Sequence, residues 1–387
     1  VDTSLEQRIK TKARSLGFDL VGIAPATPGP HLPAYRDWLA GGYHGEMGYL
    51  ARPDRLARLQ DPASILPGAR SLISVGLNYF PGPLPAEIRN DPARGIISNY
   101  AWGADYHELM ASRLEELAAF TWACAAGAGV NGEAKGRVRQ RVYVDTGPIL
   151  ERDCATAAGL GFYGKNCCLI NPQIGSWLFL GEILSAIELA CDTIPAHPSC
   201  GSCRRCLDAC PTRALIAPYL LDSRRCISYL TIELRGAVPR ELRPLLGNRV
   251  FGCDVCQEVC PWNARFARPT REAPSFEQAA PSLLDLMALD EPAFARRFRD
   301  SPVRRAKRRG LLRNVALALG NWGSAEAVPA LARALRDPEP LLRGHAAWAL
   351  GRIGSAAAGR ALQQAWLTEE NVEVREEIQT ALDGAAT

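Results

Sequence analysis

Hydrophobic and polar positions follow two different periods along the chain, and the period changes with region. Leu5, Ile9 and Leu16 are spaced as one helical face over residues 4–16, and FDLVGIA then reads as a strand. SLISVGLNYF (71–80) predicts a second strand, closed by the Pro/Gly break PGPLPAE. Residues 106–126 carry Leu109, Leu114, Leu117 and Phe120 and predict a long helix. RVYVDTGP (141–148) predicts a strand running into a turn, and SWLFLGEIL (176–184) a further strand. Residues 1–190 therefore have the pattern of a mixed α/β domain.

From 191 to 282 the segments are short and the turns polar, which leaves little to bury, so a bound group is expected to organise this region. Helical spacing returns over 283–387, now as a repeat. VALALGNWGSAEAVPALARAL (315–335) comes back as AAWALGRIGSAAAGRALQQAW (346–366), with ALGNWGS and ALGRIGS 31 residues apart and a weaker third copy ending at ALDG (381–384). Paired helices at this period predict a short all-α, HEAT-like solenoid, too short for a long array and expected to pack as an appendage on the rest.

Composition narrows the class only slightly: 387 residues, 47% hydrophobic, 22% charged and net charge +4 describe an ordinary globular protein of two or three domains. VDTSLEQRIKTKARSLGF at the start has neither an apolar core nor paired arginines of an export signal. The most apolar stretch, WLFLGEILSAIELAC (177–191), is too short to span a bilayer and carries Glu182 and Glu188. A soluble, cytoplasmic monomer without membrane contact is expected.

The cysteines say more. Of 13, eight fall between 200 and 260. Cys200, Cys203, Cys206, Cys210 and Pro211 spell C-x2-C-x2-C-x3-C-P, the bacterial ferredoxin run whose fourth cysteine ligates a different cluster from the first three. Cys253, Cys256, Cys260 and Pro261 give a second run lacking one ligand at its front, and the isolated Cys226 in RRCISYL can supply it. Eight thiolates suit two [4Fe-4S] clusters with crossed ligands: Cys200, Cys203, Cys206 and Cys260 on one, Cys210, Cys226, Cys253 and Cys256 on the other. Structural zinc also takes four thiolates, but the tight triple run and the two Cys-Pro endings count against it. Cys124, Cys154 and Cys191 are expected to be buried hydrophobes, whereas the adjacent Cys167 and Cys168 lie in a loop that can face a cofactor.

In order and spacing, CGSCRRCLDACPTRAL, RCISYLTIE and GCDVCQEVCPWN resemble the epoxyqueuosine reductases. VYVDTGPILERDCATAAGLGFYGKN, GSWLFLGEIL, PGARSLISVGLNY and YAWGADYH resemble the same family. The resemblance is strong over about residues 20–265. It implies a nitroreductase-like cobalamin domain (1–190), a ferredoxin-like domain with two clusters (191–282) and a basic joint with HEAT-like repeats (283–387). It also implies an oxidoreductase that removes the epoxide oxygen of epoxyqueuosine at the wobble position of tRNAs with GUN anticodons, in the last step of queuosine formation. Electrons would pass from an external donor through the clusters to cobalamin. Asp145 matches the family's proton donor, and a carboxyl in an apolar pocket beside the corrin is expected to stay protonated at neutral pH. Arg55, His107, Lys165, Ser228, Cys253 and Asp254 lie in matching segments and are expected to contact the cofactor. Asp105-Tyr-His107-Glu-Leu-Met110 lacks the glycine of the Asp-x-His-x-x-Gly motif, so histidine ligation of cobalt is not indicated.

Two further motifs need weighing. Gly159-Leu-Gly-Phe-Tyr-Gly164-Lys165 imitates a P-loop, but Asn166 stands where Ser or Thr would hold magnesium, and no apolar strand precedes it. FARRFRDSPVRRAKRRGLLR (294–313) carries a local charge of +8, more than the whole chain, and marks Arg296, Arg297, Arg304, Arg305, Lys307 and Arg308 as candidates for a phosphate backbone. A non-catalytic iron–sulfur carrier and a cobalamin-dependent reductive dehalogenase are the rival readings. The carrier leaves the α/β domain unexplained, and the basic stretch counts against the dehalogenase.

Overall fold

The computed structural model describes residues 4–127, 140–194, 198–270 and 276–384. Its first layer is a four-stranded antiparallel sheet in the order Leu20–Pro25, Ser71–Asn78, Leu178–Ser185, Gln140–Tyr143. The two inner strands read as near-continuous apolar runs because both faces are covered. On one face lie helices Leu5–Ser15 and Tyr106–Gly127, packing Ile9, Met110, Leu114 and Leu117 against Ile23, Ile73, Val75 and Ile183. Gly181 makes that approach possible: a Cβ there would sit 2.7 Å from Leu114 Cδ1. On the other face, helix Glu151–Ala157 brings Ala155 and Ala158 onto Ala24. These elements fall within a few residues of the predicted ones.

In the tail, after the short helices Leu283–Met287 and Glu291–Arg297, the repeats run as Lys307–Trp322, Val328–Ala334, Pro340–Ile353, Ala356–Trp366 and Val372–Gly384. The repeated ALGxxGS has a physical reason at each conserved step of the pattern. Gly320 lies where a Cβ would meet the Ala349 backbone at 2.8 Å, and Gly351 meets Ala381 in the same way at 2.7 Å, so the glycine of one copy seats the alanine of the next. Gly323 and Gly354 end their helices in the left-handed conformation, and Ser324 and Ser355 accept backbone N–H groups to start the following ones.

The tail is more than an appendage. Its core is continuous with Ile97, Trp102, Val250 and Phe251, so parts of all three sequence regions share one hydrophobic cluster. Strand Arg249–Phe251 pairs in parallel with Ile96–Ile97. Arg313, fully buried, donates to the carbonyls of Leu230, Leu234 and Gly236, while Asn314 Nδ2 donates to those of Thr231 and Val250. Burial pushes the Arg313 guanidinium down to about 9, with carbonyls rather than a carboxylate holding it. The cysteine region thus borrows much of its core from the tail: Leu317 packs with Ile227, Leu230, Val238, Leu242 and Leu246.

Candidate active site and iron–sulfur centre

The cysteines gather in two places. Cys200, Cys203, Cys206 and Cys260 line one cavity of about 260 Å³, together with Lys165, Asn166, Trp262 and Arg265. Cys210, Cys226, Cys253 and Cys256 lie close enough for their charges to act on one another. Among the described residues no three His, Cys, Asp or Glu side chains converge closely enough to hold a single metal ion. Backbone N–H groups of Ser228 and Tyr229 point at the Cys226 sulfur, which gives Ser228 a place beside the inner set. The free thiols of Cys168 and Cys256 share a hydrogen bond. Cys124 is buried as expected and accepts from Arg8 at 3.0 Å, Cys154 is half-buried with its thiol raised by desolvation, and Cys191 is exposed rather than the buried hydrophobe expected, because its segment runs along the surface.

Asp145 stands just after strand Gln140–Tyr143, in the left-handed region at φ 57°, in a turn that carries its carboxylate away from the sheet. Its side chain is 62% accessible although Tyr106, His107, Glu151 and Arg305 all act on it, so it lies on the wall of an open cleft. Tyr106 Oη donates to Oδ2 at 3.3 Å, and His107 Nε2 lies 3.6 Å from the same oxygen. His107 Nδ1 is 2.7 Å from Asp105 Oδ1. Both ring nitrogens of His107 therefore face carboxylates.

This arrangement corrects one expectation. The imidazole beside Asp145 holds its carboxyl below the ordinary 3.8, and the same pairing raises His107 above 6.5. Asp145 is the charged partner, and the protons sit on its neighbours. Glu151 Oε1 accepts the Asp145 backbone N–H at 2.5 Å, and burial, followed by the Asp145 charge, raises its carboxyl. Glu182, fully buried on the inner strand Leu178–Ser185, is also raised by burial; its Oε1 is 3.5 Å from Ser74 Oγ and its Oε2 has no protein partner. Sequence reasoning missed both glutamates, although Glu151 lies in the VDTGPILERD segment and Glu182 is a lone carboxylate in an apolar strand.

Other candidates divide. Arg55 lies near Tyr35 and Glu151, with Nε buried and unpartnered. Lys165, expected at the corrin, instead donates Nζ to the carbonyls of Gly201 (2.6 Å) and Cys203 (3.0 Å), because its loop folds over the outer cysteines. Asp254 borders a second cavity but both its oxygens are engaged: Ser98 Oγ donates to one at 2.5 Å and the Asn99 N–H to the other at 2.7 Å, so its carboxylate clamps the cysteine region to the α/β region. That cavity, about 490 Å³, is lined by Phe80, Trp177, Ser98, Arg249 and Cys253, and the Trp177 indole N–H is unpartnered. Phe80 stacks on Trp177 at 5.2 Å, and Tyr106 on Phe179 at 4.0 Å, with Tyr79 between, so aromatic rings run from Asp145 to the cavity.

In the basic joint, Arg296, Arg297, Arg304 and Lys307 are exposed. Arg308 is committed to Asp337 at 2.6 Å and to the Leu289 carbonyl, so it serves the tail's own packing. Arg305 pairs with Glu233 and donates to Tyr49 Oη at 3.3 Å on the rim of the cleft.

An acid-bearing cleft in an α/β layer, joined to a double set of cluster-spaced cysteines, defines an iron–sulfur oxidoreductase. A 4Fe-4S double cluster binding domain matches residues 199–263, Epoxyqueuosine reductase QueG, DUF1730 matches 59–146, and HEAT repeats match 304–383. The epoxyqueuosine reductase of Pseudomonas aeruginosa is 44% identical over 355 residues, 90% of this chain and 95% of that one; the Escherichia coli (strain K12) protein of the same name is 41% identical over 90% and 89%. A crystal structure of epoxyqueuosine reductase with an epoxyqueuosine-modified tRNA-Tyr stem loop aligns at TM-score 0.89 and 33% identity over 99% of both chains. The Bacillus subtilis enzyme, with its catalytic loop swung out of the active site, aligns at 0.86 and 32% over 98% of both. The chain belongs to the epoxyqueuosine reductase family.

Proposed function

We propose that this chain reduces the epoxide of epoxyqueuosine in tRNA to the alkene of queuosine, taking up two electrons and two protons and releasing water. The observation that carries this reading is the junction of parts: two sets of four thiols, an aromatic cavity bordered by Cys253, and a carboxylate facing His107 in an open cleft. The residues fit a large, partly aromatic cofactor, since the cavity offers stacked rings and an unpartnered indole N–H. Cobalamin held at this cavity by Phe80, Trp177 and Arg249 would supply a strong reductant at carbon.

The rest is the work of this chain. Cys200, Cys203, Cys206 and Cys260, and Cys210, Cys226, Cys253 and Cys256, would hold two clusters able to supply electrons one at a time. Asp145 Oδ2 passes a proton to the leaving oxygen after drawing it from His107 Nε2 or from the Glu151 carboxyl, which burial keeps protonated. Exposed Arg296, Arg297, Arg304 and Lys307 hold the RNA backbone, and a tRNA substrate supports a cytoplasmic setting. Among the described residues no helix is long and apolar enough to cross a membrane.

Anaerobic reconstitution with iron, sulfide and cobalamin, followed by incubation with an epoxyqueuosine-bearing tRNA hairpin, tests the reading. Loss of one oxygen mass from the base is the expected result. Cluster assembly with neither cobalamin binding nor turnover would leave a non-catalytic carrier instead.

A further inference from the structure

Electrons must enter this chain from outside, and the two cysteine sets are unequally placed to receive them. Cys253 borders the inner aromatic cavity, and Cys226 and Cys253 pack against the cluster of Ile227, Leu230 and Leu246. The outer cavity reaches the surface: Pro261 and Arg265 on its lining are exposed, as are Arg204 and Arg205 in the loop joining Cys203 to Cys206.

The surface there has a definite chemistry. Lys165, Arg204, Arg205 and Arg265 bring four cations around the cavity, against Asp208, which lies 3.8 Å from Arg204. Beside them two large apolar residues stand in solvent: Tyr219, 52% exposed, whose backbone N–H donates to the Lys165 carbonyl at 3.1 Å, and Ile216, 45% exposed on the adjoining strand. Trp262 stacks on Phe266, which also carries the Arg265 guanidinium at 5.1 Å, so this side of the cavity is fixed. A small apolar centre with a basic border is the surface of a brief, charge-steered encounter rather than of a permanent complex.

We propose that this face docks a small acidic one-electron carrier protein, and that electrons enter at the Cys200, Cys203, Cys206 and Cys260 site. The inference rests on the reductase reading above. Each encounter oxidises the carrier by one electron and reduces the outer cluster by one. Two encounters supply the pair that, with two protons, converts the epoxide to an alkene and water.

The test follows cluster bleaching by stopped flow in the reconstituted holoenzyme, with a reduced acidic [2Fe–2S] ferredoxin as the probe and dithionite as a small donor that needs no docking face. In an Arg204→Glu/Arg205→Glu variant the ferredoxin-driven rate constant should drop by about tenfold or more at low salt, and wild-type rates should fall as salt rises. Iron content and the dithionite rate should be unchanged. Tyr219→Ala, which leaves the cysteine loop alone, should slow the ferredoxin reaction alone, and it carries the test if the arginine variant loses iron. Ferredoxin rates that ignore both substitutions and salt would overturn the docking face while leaving the reductase reading intact. Clusters that dithionite cannot bleach would overturn that reading, and this one with it.

Discussion

The cysteine region and the carboxylate cleft lie on one path, yet they are built on opposite plans. The thiols come from short loops inside a single stretch, turned by Pro211 and Pro261, and the surrounding helices are only four to six residues long. Around the carboxylates, Asp105, His107, Asp145, Glu151, Glu182 and Arg305 arrive from separate elements and are fixed by a sheet buried on both faces. An inorganic cluster can organise its own ligands, so local spacing suffices. Proton chemistry depends on which charge faces which, and only a rigid scaffold sets that.

The contrast can be broken most completely at Cys226. A Cys226→Ala chain should lose about four of about eight irons and all turnover while keeping the sheet, as read by iron analysis and circular dichroism. Asp145→Asn should do the reverse, keeping iron and cofactor while single-turnover rates on the modified hairpin drop about 10²–10⁴-fold. Arg313→Met tests whether the two plans share one support: three carbonyls lose their donor inside the common core, and denaturant unfolding should show a loss of about 3 kcal/mol.

The smallest effect is electrostatic. His107 is raised, so its share of stability is present below 6.5 and is lost as pH rises through its folded value. Asp145 is lowered, so its share is present above 3.8 and is lost as pH falls through its folded value. The pair is therefore strongest between about pH 4 and 6.5. His107→Gln should move the Asp145 carboxyl back upward, read as a shift of the acidic limb of the pH–rate profile. An unmoved limb would show that another group sets it.

The same contrast explains what could be read from the residues alone. The two tight cysteine runs follow from spacing, because ligands three or four residues apart on a turn have few places to go, whereas the assignment of Cys226 and Cys260 rests on the ferredoxin pattern. The sheet strands and tail helices follow from periodicity. The direction of the Asp145 shift does not, since it depends on His107 reaching across from the helix Tyr106–Gly127. Nor do the redirection of Lys165 to the Gly201 and Cys203 carbonyls, the spending of Arg308 on Asp337, or the core shared by the tail and the cysteine region. Each depends on contacts between segments far apart in the chain.

Arg305 carries a practical consequence. It belongs to the tail by sequence, yet its guanidinium rests on Tyr49 and Glu233 at the rim of the cleft. A shortened enzyme cut at the end of the cysteine region would lose part of the doorway along with the repeats, and would expose the apolar patches that Leu317 and Arg313 now cover. The smallest useful version of this protein therefore keeps the repeats through the helix Val372–Gly384, since His345 accepts the Val238 N–H and Glu377 pairs with Arg240 and the buried Arg243 of the cysteine region.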